Sequence, residues 1–159
     1  MKFAADGMLG KLTRWLRILG YDVKYSNRMD DHELIALSTK EKRILLTRDL
    51  QLFRQATAKG IESLYLEEKT PEQNLAQLAK RYSLDLQVDM EKSRCPICNV
   101  RVKPISKKQA SSHVELNTLA NYDEFWKCPK CGKTYWQGAH WKGIGKTLKK
   151  AEEFEASLQ

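Results

Sequence analysis

Residues 43–49 read Arg43-Ile44-Leu45-Leu46-Thr47-Arg48-Asp49. A short aliphatic run flanked by charged residues predicts a strand buried on both faces, which is the pattern of a parallel sheet covered by helices on either side. Toward the N-terminus, Asp31 to Lys40 reads as a helix and Tyr21 to Tyr25 as a strand. Before them come a helix from Met8 to Gly20, with Leu9, Leu12, Leu16 and Leu19 along one face, and a first strand from Lys2 to Ala5. Toward the C-terminus, Asp49 to Lys59 predicts a helix that Gly60 stops. Ile61 to Leu66 predicts a fourth strand, and Pro71 to Tyr82 a helix opened by Thr70 and Pro71. Strand and helix alternate throughout, so the fold class is α/β with a parallel sheet flanked by helices.

The alternation fades after Tyr82. Ser83 to Arg94 reads as a polar connector, followed by the cysteines and most of the surplus lysine. The expected division is 1–90 for the α/β domain, 91–145 for a cysteine-bearing module and 146–159 for a basic, amphipathic tail whose apolar face is thin. A chain of 159 residues has room for one ordinary core and a small appendage that needs a metal staple. Residues 1–90 carry 15 Lys/Arg against 13 Asp/Glu, and residues 91–159 carry 13 against 7, so +6 of the net +8 lies in the C-terminal part. That excess suits a polyanionic partner, although a merely soluble basic protein shows the same balance. No stretch of about 18 apolar residues occurs, and the first residues lack a secretory pattern, so the expectation is a cytoplasmic protein with no membrane association.

Cys95-Pro-Ile-Cys98 and Cys128-Pro-Lys-Cys131 are two Cys-x-x-Cys knuckles with 29 residues between them, and they use every cysteine in the chain. Two such turns set four thiolates around one Zn²⁺, with a hairpin or two in the spacer. Two disulfides are the rival arrangement, which a reducing compartment disfavours. Four protein ligands leave no open position, so one zinc per chain would be structural and the chemistry lies elsewhere. Beyond the second knuckle, Trp126, Tyr135 and Trp136 read as the module's small core. Lys133, His140, Trp141 and Lys142 read as contacts to nucleic acid, by stacking and by charge.

Acids stand at each of the first three strand-to-helix junctions: Asp6, then Asp30 and Asp31, then Asp49. In a parallel sheet these positions share one edge, where ligands bind. Clustered carboxylates need a cation, and oxygen-only donors suit Mg²⁺ or Mn²⁺. Helix capping explains each acid singly, and Asp30 with Glu33 has capping-box spacing, so Glu33 reads equally as cap partner or ligand. Lys11, Arg14, Arg17 and Arg48 would grip a phosphate backbone beside the acids, and Thr47 would orient Asp49.

The ordered set Asp6-Gly-Met-Leu-Gly-Lys-Leu-Thr-Arg-Trp-Leu-Arg17, Gly20-Tyr-Asp-Val23, Asp30-Asp-His-Glu-Leu34, Arg43 to Asp49, the two knuckles and Tyr135-Trp-Gln-Gly-Ala-His-Trp141 resembles the Mut-seven C-terminal ribonuclease family. That family has a PIN-like domain followed by a zinc ribbon, and the likeness spans residues 1 to 145. The resemblance implies a metal-dependent nuclease acting on RNA rather than DNA. Asp6, Asp31 and Asp49 match the active-site acids that hold Mg²⁺ or Mn²⁺, Asp30 and Glu33 are accessory, and a homodimer is one arrangement seen among PIN relatives. Many PIN domains have a fourth acid after a later strand. Here Glu67, Glu68, Asp85 and Asp89 compete for that place. Two functions follow: a ribonuclease whose zinc ribbon assists RNA binding, or a non-catalytic RNA-binding zinc-ribbon module of an RNA-processing assembly.

Overall fold

A computed structural model describes residues 1–67 and 70–158. The first strand, β1 (Lys2–Ala5), leads into α1 (Gly10–Ile18), β2 (Asp22–Tyr25), α2 (Asp31–Glu41), β3 (Ile44–Thr47), α3 (Leu50–Ala58), β4 (Ser63–Tyr65) and α4 (Pro71–Tyr82). The four strands form a parallel sheet in the order β2-β1-β3-β4, with Phe3 beside both Val23 and Ile44, and Leu46 beside Leu64. The chain leaves β1 for one side and then crosses to the other, so the connections diverge at the C-terminal ends of β1 and β3. In parallel sheets that divergence opens a crevice.

Alternation along the strands feeds two cores. Phe3, Ala5 and Leu46 face Leu12 and Leu16 of α1 and Leu75 and Leu78 of α4, while Ala4 and Leu45 face Leu34, Ile35, Leu52 and Ala56 of α2 and α3. Leu45 and Leu46 are both fully buried, on opposite faces. Each contributes about 1.5–3 kcal/mol through removal of its side chain from water.

The connector after α4 is less polar than its composition implies. Leu84 and Leu86 are buried and Val88 packs on the first core, while Asp85 and Gln87 are exposed. This period-two alternation lays an extended segment along the domain, fixed where the Asp85 N–H donates to the Tyr21 hydroxyl at 2.8 Å. The C-terminal stretch forms a helix that starts earlier than the tail, and Leu148 and Ala151 of this helix join the same core as Leu75 and Leu78 of α4. A thin apolar stripe suffices because Ala151 lets the two helix backbones approach. Among the described residues no helix is long and apolar enough to cross a membrane.

Between connector and final helix lies the cysteine module: β5 (Lys103–Ile105), α5 (Lys107–Ala110), α6 (Leu116–Asn121), β6 (Phe125–Lys127) and β7 (Thr134–Tyr135), followed by the final helix, α7 (Trp141–Ser157). Its three strands pair antiparallel in the order β5-β6-β7. The two knuckles have the same backbone. The Cys95 N–H donates to Val100 O and the Asn99 N–H to Cys95 O; likewise Cys128 donates to Lys133 O and Gly132 to Cys128 O. Asn99 and Gly132 occupy matching left-handed positions, with φ of 65° and 78°.

One buried guanidinium ties the module to the sheet. Arg17 donates from Nε and Nη2 to Val23 O at 3.1 and 2.7 Å, and from Nη1 to Pro96 O at 2.8 Å and Ile97 O at 3.2 Å. Asn99 completes the seam, accepting from the Val23 N–H at 3.0 Å and donating to Asp22 Oδ1 at 2.7 Å. The first knuckle thereby satisfies backbone groups on β2, an edge strand that would otherwise expose them.

A second arginine closes the N-terminal end of the strands and shares Asp22 with the seam. Arg43, 5% exposed, donates to Phe3 O at 3.1 Å, Asp22 Oδ1 at 2.8 Å and Glu41 Oε2 at 2.5 Å. Burial pushes the Asp22 carboxyl up, but hydrogen bonds from Arg43 and Asn99 outweigh it and leave it below the usual range. Hydrogen bonds from Lys24 and then Arg43 lower Glu41 to about 2. Both carboxyls titrate lower in the folded chain than in the unfolded one. Their contribution is complete above the ordinary Glu value of 4.5 and fades as pH falls toward about 2. Replacing Arg43 with Met should cost about 2–3 kcal/mol at neutral pH through the lost bonds to Asp22 and Phe3, and the variant's urea midpoint should change less between pH 5 and 3 than the parent's.

Candidate metal centre and acidic edge

Loop geometry brings the first and third junctions together. Asp6 follows β1 and is 8% exposed; its Oδ1 accepts from the Met8 N–H at 2.9 Å, and its Oδ2 accepts from the Arg48 N–H at 3.1 Å and from the Thr47 hydroxyl. The same Thr47 Oγ1 accepts from the Asp49 N–H at 2.9 Å. Thr47, fully buried, therefore links the Asp6 carboxylate to the backbone of Asp49. The carboxylate that Thr47 meets is that of Asp6; of Asp49 it meets the backbone N–H. Asp49 is exposed and caps α3, its Oδ1 accepting from the Gln51 and Leu52 N–H groups at 2.9 and 3.2 Å. Its Oδ2 has no hydrogen-bond partner among the described residues.

The middle junction divides its acids. Asp30 and Glu33 form a complete capping box, Asp30 Oδ1 taking the Glu33 N–H at 2.8 Å and Glu33 Oε2 taking the Asp30 N–H at 2.9 Å. Glu33 is thus a cap partner in the structure, and Asp30 caps with it. Asp31, the first residue of α2, is exposed and has no hydrogen bond to its carboxylate among the described residues. The loop before it lies against the β1–α1 turn: a Cβ on Gly7 would stand 3.3 Å from Asn27 Cα, and the Tyr25 hydroxyl donates to Gly7 O at 3.0 Å. The three acids share the sheet edge without closing into a ligand shell. Among the described residues, the one set of three or more candidate ligands within 4.8 Å of one another is the four cysteines.

The fourth-acid candidates separate by position. Glu67 lies on the same edge, one residue past Leu66, whose N–H donates to Thr47 O at 2.9 Å, and it lines a cavity of about 460 Å³ with Tyr65, Gln77 and Phe154. Glu68 lies outside the described residues. Asp85, bonded to Tyr21 just ahead of β2, and Asp89, whose carbonyl accepts from Lys92 beside Gly20, sit at the opposite end of the strands.

The cation stripe also divides. Lys11 and Arg14 are exposed on α1 and Arg48 is half-buried beside the acids. Arg17 is not available to a phosphate, because it is 7% exposed and its N–H groups are committed to the seam between sheet and module. Lys133 sits 5.6 Å from the Tyr135 ring centroid, and His140, Trp141 and Lys142 open α7. Tyr135 and Trp126 pack on the cysteine core as expected. Trp136 departs from it, lying 6.4 Å from Phe125 and facing a cavity beyond the ribbon.

The four thiols fit a tetrahedral metal. Cys95 Sγ and Cys131 Sγ are 3.9 Å apart, against about 3.8 Å for sulfurs on Zn–S bonds of about 2.3 Å. Burial pushes the Cys95 thiol up, but hydrogen bonds from the Tyr135 hydroxyl at 3.0 Å and from the Cys98 and Ile97 N–H groups lower it to about 7. Burial, then the hydrogen bond with Cys131 and the charge on Cys95, push Cys98 up to about 12. A thiolate on Cys95 thus disfavours one on Cys98 unless a cation joins them, which is the electrostatic condition of a metal site. All four cysteines are free of disulfides.

No curated protein and no solved structure matches the chain. The family model of the Mut7-C RNAse domain matches residues 1–148, which span both the sheet and the four-cysteine cluster. The chain belongs to the Mut7-C RNAse domain family.

Proposed function

We propose that the protein is a metal-dependent ribonuclease that hydrolyses RNA phosphodiester bonds at the acidic edge, with Asp6, Asp31 and Asp49 as its catalytic and metal-holding residues. The observation that carries the reading is the convergence of Asp6 and Asp49 on Thr47 where the sheet's connections diverge. The donor set fits a hard cation: the groups are all oxygens, and Asp49 Oδ2 and the Asp31 carboxylate are unspent among the described residues. A bound Mg²⁺ or Mn²⁺ supplies a hydroxide nucleophile and neutralises charge on the phosphorus oxygens. The chain's own part is positioning. Thr47 and the Arg48 and Met8 N–H groups hold the Asp6 carboxylate fixed in rotation, while Lys11 and Arg14 attract the strand.

Residues 1–90 form the catalytic unit in this reading and 91–145 a ribbon on one structural zinc. The α7 segment belongs with the sheet domain, where it packs on α4. Thiols kept reduced for zinc accord with a cytoplasmic setting. Two observations favour the non-catalytic alternative: the acids stand apart, and one oxygen of Asp49 serves as a helix cap.

Asp49→Asn separates the two readings, because asparagine caps a helix as well as aspartate does. Its thermal midpoint should stay near the parent's while cleavage of labelled single-stranded RNA in Mn²⁺ falls on the order of a hundredfold or more. Asp31→Asn should behave likewise. Unchanged cleavage in both variants sinks the nuclease assignment, and tight RNA binding by a parent that cuts nothing supports the binding module.

Metal analysis should return one zinc per chain. A chelator should abolish the near-ultraviolet signal of Trp126 and Tyr135 while leaving most helix signal, and should lower the urea midpoint of the sheet as Arg17 and Asn99 lose their partners.

A further inference from the structure

A cavity of about 170 Å³ lies where α1, the connector, the ribbon and the start of α7 meet, with Ser93, Arg94, Tyr135, Trp136, His140 and Trp141 on its wall and aliphatic side chains beneath. The geometry points to a subsite for one unpaired nucleobase of a single-stranded RNA. The inference rests on the reading that the chain binds RNA, but not on the acids.

Size comes first. Pockets for drug-sized ligands run to about 300–1,000 Å³; this one is smaller and suits a single planar ring system, leaving sugar and phosphate outside. Its wall has the two features that base recognition requires. Aromatic faces come from Trp136, Trp141 and His140, the last two packed edge to face at 6.2 Å and 76°. Unspent polar groups belong to lining residues: the Trp136 indole N–H, the Ser93 hydroxyl and Arg94 Nη2 make no hydrogen bond among the described residues, whereas Arg94 Nε and Nη1 are anchored on Gly20 O and Asn99 O at 3.2 and 2.8 Å. An apolar cavity with a few such groups is the form of a specific binding site.

The surroundings select the occupant. Among the described residues the wall includes Arg94 and no carboxylate. Lys142 and Lys146 are exposed along the first turns of α7, and Lys133 lies over Tyr135. That charge complements the phosphates on either side of an inserted base. Gly138 holds the arrangement open: a Cβ there would stand 2.7 Å from Trp136 Nε1 and 3.4 Å from His140 Nδ1.

The test uses the full zinc-loaded chain without added Mg²⁺ or Mn²⁺, so that binding is read apart from cleavage. Two of the four tryptophans line the cavity, so their fluorescence reports occupancy. Single-stranded oligoadenylate and oligouridylate of about twelve nucleotides should quench it, and an abasic strand of equal length should bind more weakly and quench little. Trp141→Ala should weaken binding of the base-bearing strands roughly tenfold or more while leaving the abasic strand unaffected, and Trp141→Phe should recover most of the loss. Equal affinity of the parent for base-bearing and abasic strands overturns the inference, even if Trp141→Ala proves too unstable to measure. So does a Trp141→Ala variant that keeps its preference for bases. Either failure would leave the dependence of cleavage on Asp49 intact, and loss of the nuclease assignment would leave the quenching result standing.

Discussion

The Arg17 guanidinium is buried between two parts of the chain that each need what it donates. On one side Val23 O belongs to an edge strand; on the other, Pro96 O and Ile97 O belong to a tight knuckle. A charge so enclosed is tolerated because Val23 O, Pro96 O and Ile97 O accept from its N–H groups and because the Cys95 sulfur lies near enough for its charge to oppose the effect of burial. The relative placement of sheet and ribbon depends on this group. Asn99 and Arg94 add to the seam, but neither bridges strand and knuckle from the sheet side as Arg17 does. The α1 face carrying exposed Lys11 and Arg14 is therefore fixed relative to the ribbon.

The acidic edge shows how a carboxylate can be kept buried without a permanent partner charge. Asp6 is enclosed more tightly than Asp31 or Asp49, and two backbone N–H groups and a hydroxyl replace the water it has lost. Thr47 is central because its hydroxyl donates to Asp6 while accepting from the Asp49 backbone, so the ends of two strands hold one another in register. An apolar side chain at that position would free both.

The sheet was legible because its physics is local. The run Ile44-Leu45-Leu46 announces two-sided burial; Thr70-Pro71 and Asp30-Glu33 announce helix starts, and the structure places α4 and α2 there. The four-cysteine cluster was legible because Cys-x-x-Cys constrains its own backbone. Arg17 was misread for the opposite reason: on a helical wheel it shares a stripe with Lys11 and Arg14, and nothing nearby in sequence reveals that residues 96–97 pack over it. The connector was misjudged because Leu84 and Leu86 were weighed by composition rather than by alternation. The distance between Asp31 and its fellow acids depends on a loop path that no residue type specifies.

The two knuckles repeat one backbone, and a metal ion cannot tell them apart, since each offers two sulfurs on the same turn. The sheet can. At the left-handed position after the second cysteine, one knuckle has Gly132, which meets the conformational requirement and nothing more, while the other has Asn99, whose amide also reads Val23 and Asp22. A ribbon rotated to exchange its halves would coordinate metal equally well yet present a bare glycine to the β2 edge. A single side chain thus breaks the near-twofold repeat of the four-cysteine cluster and gives the module a handed orientation on its support.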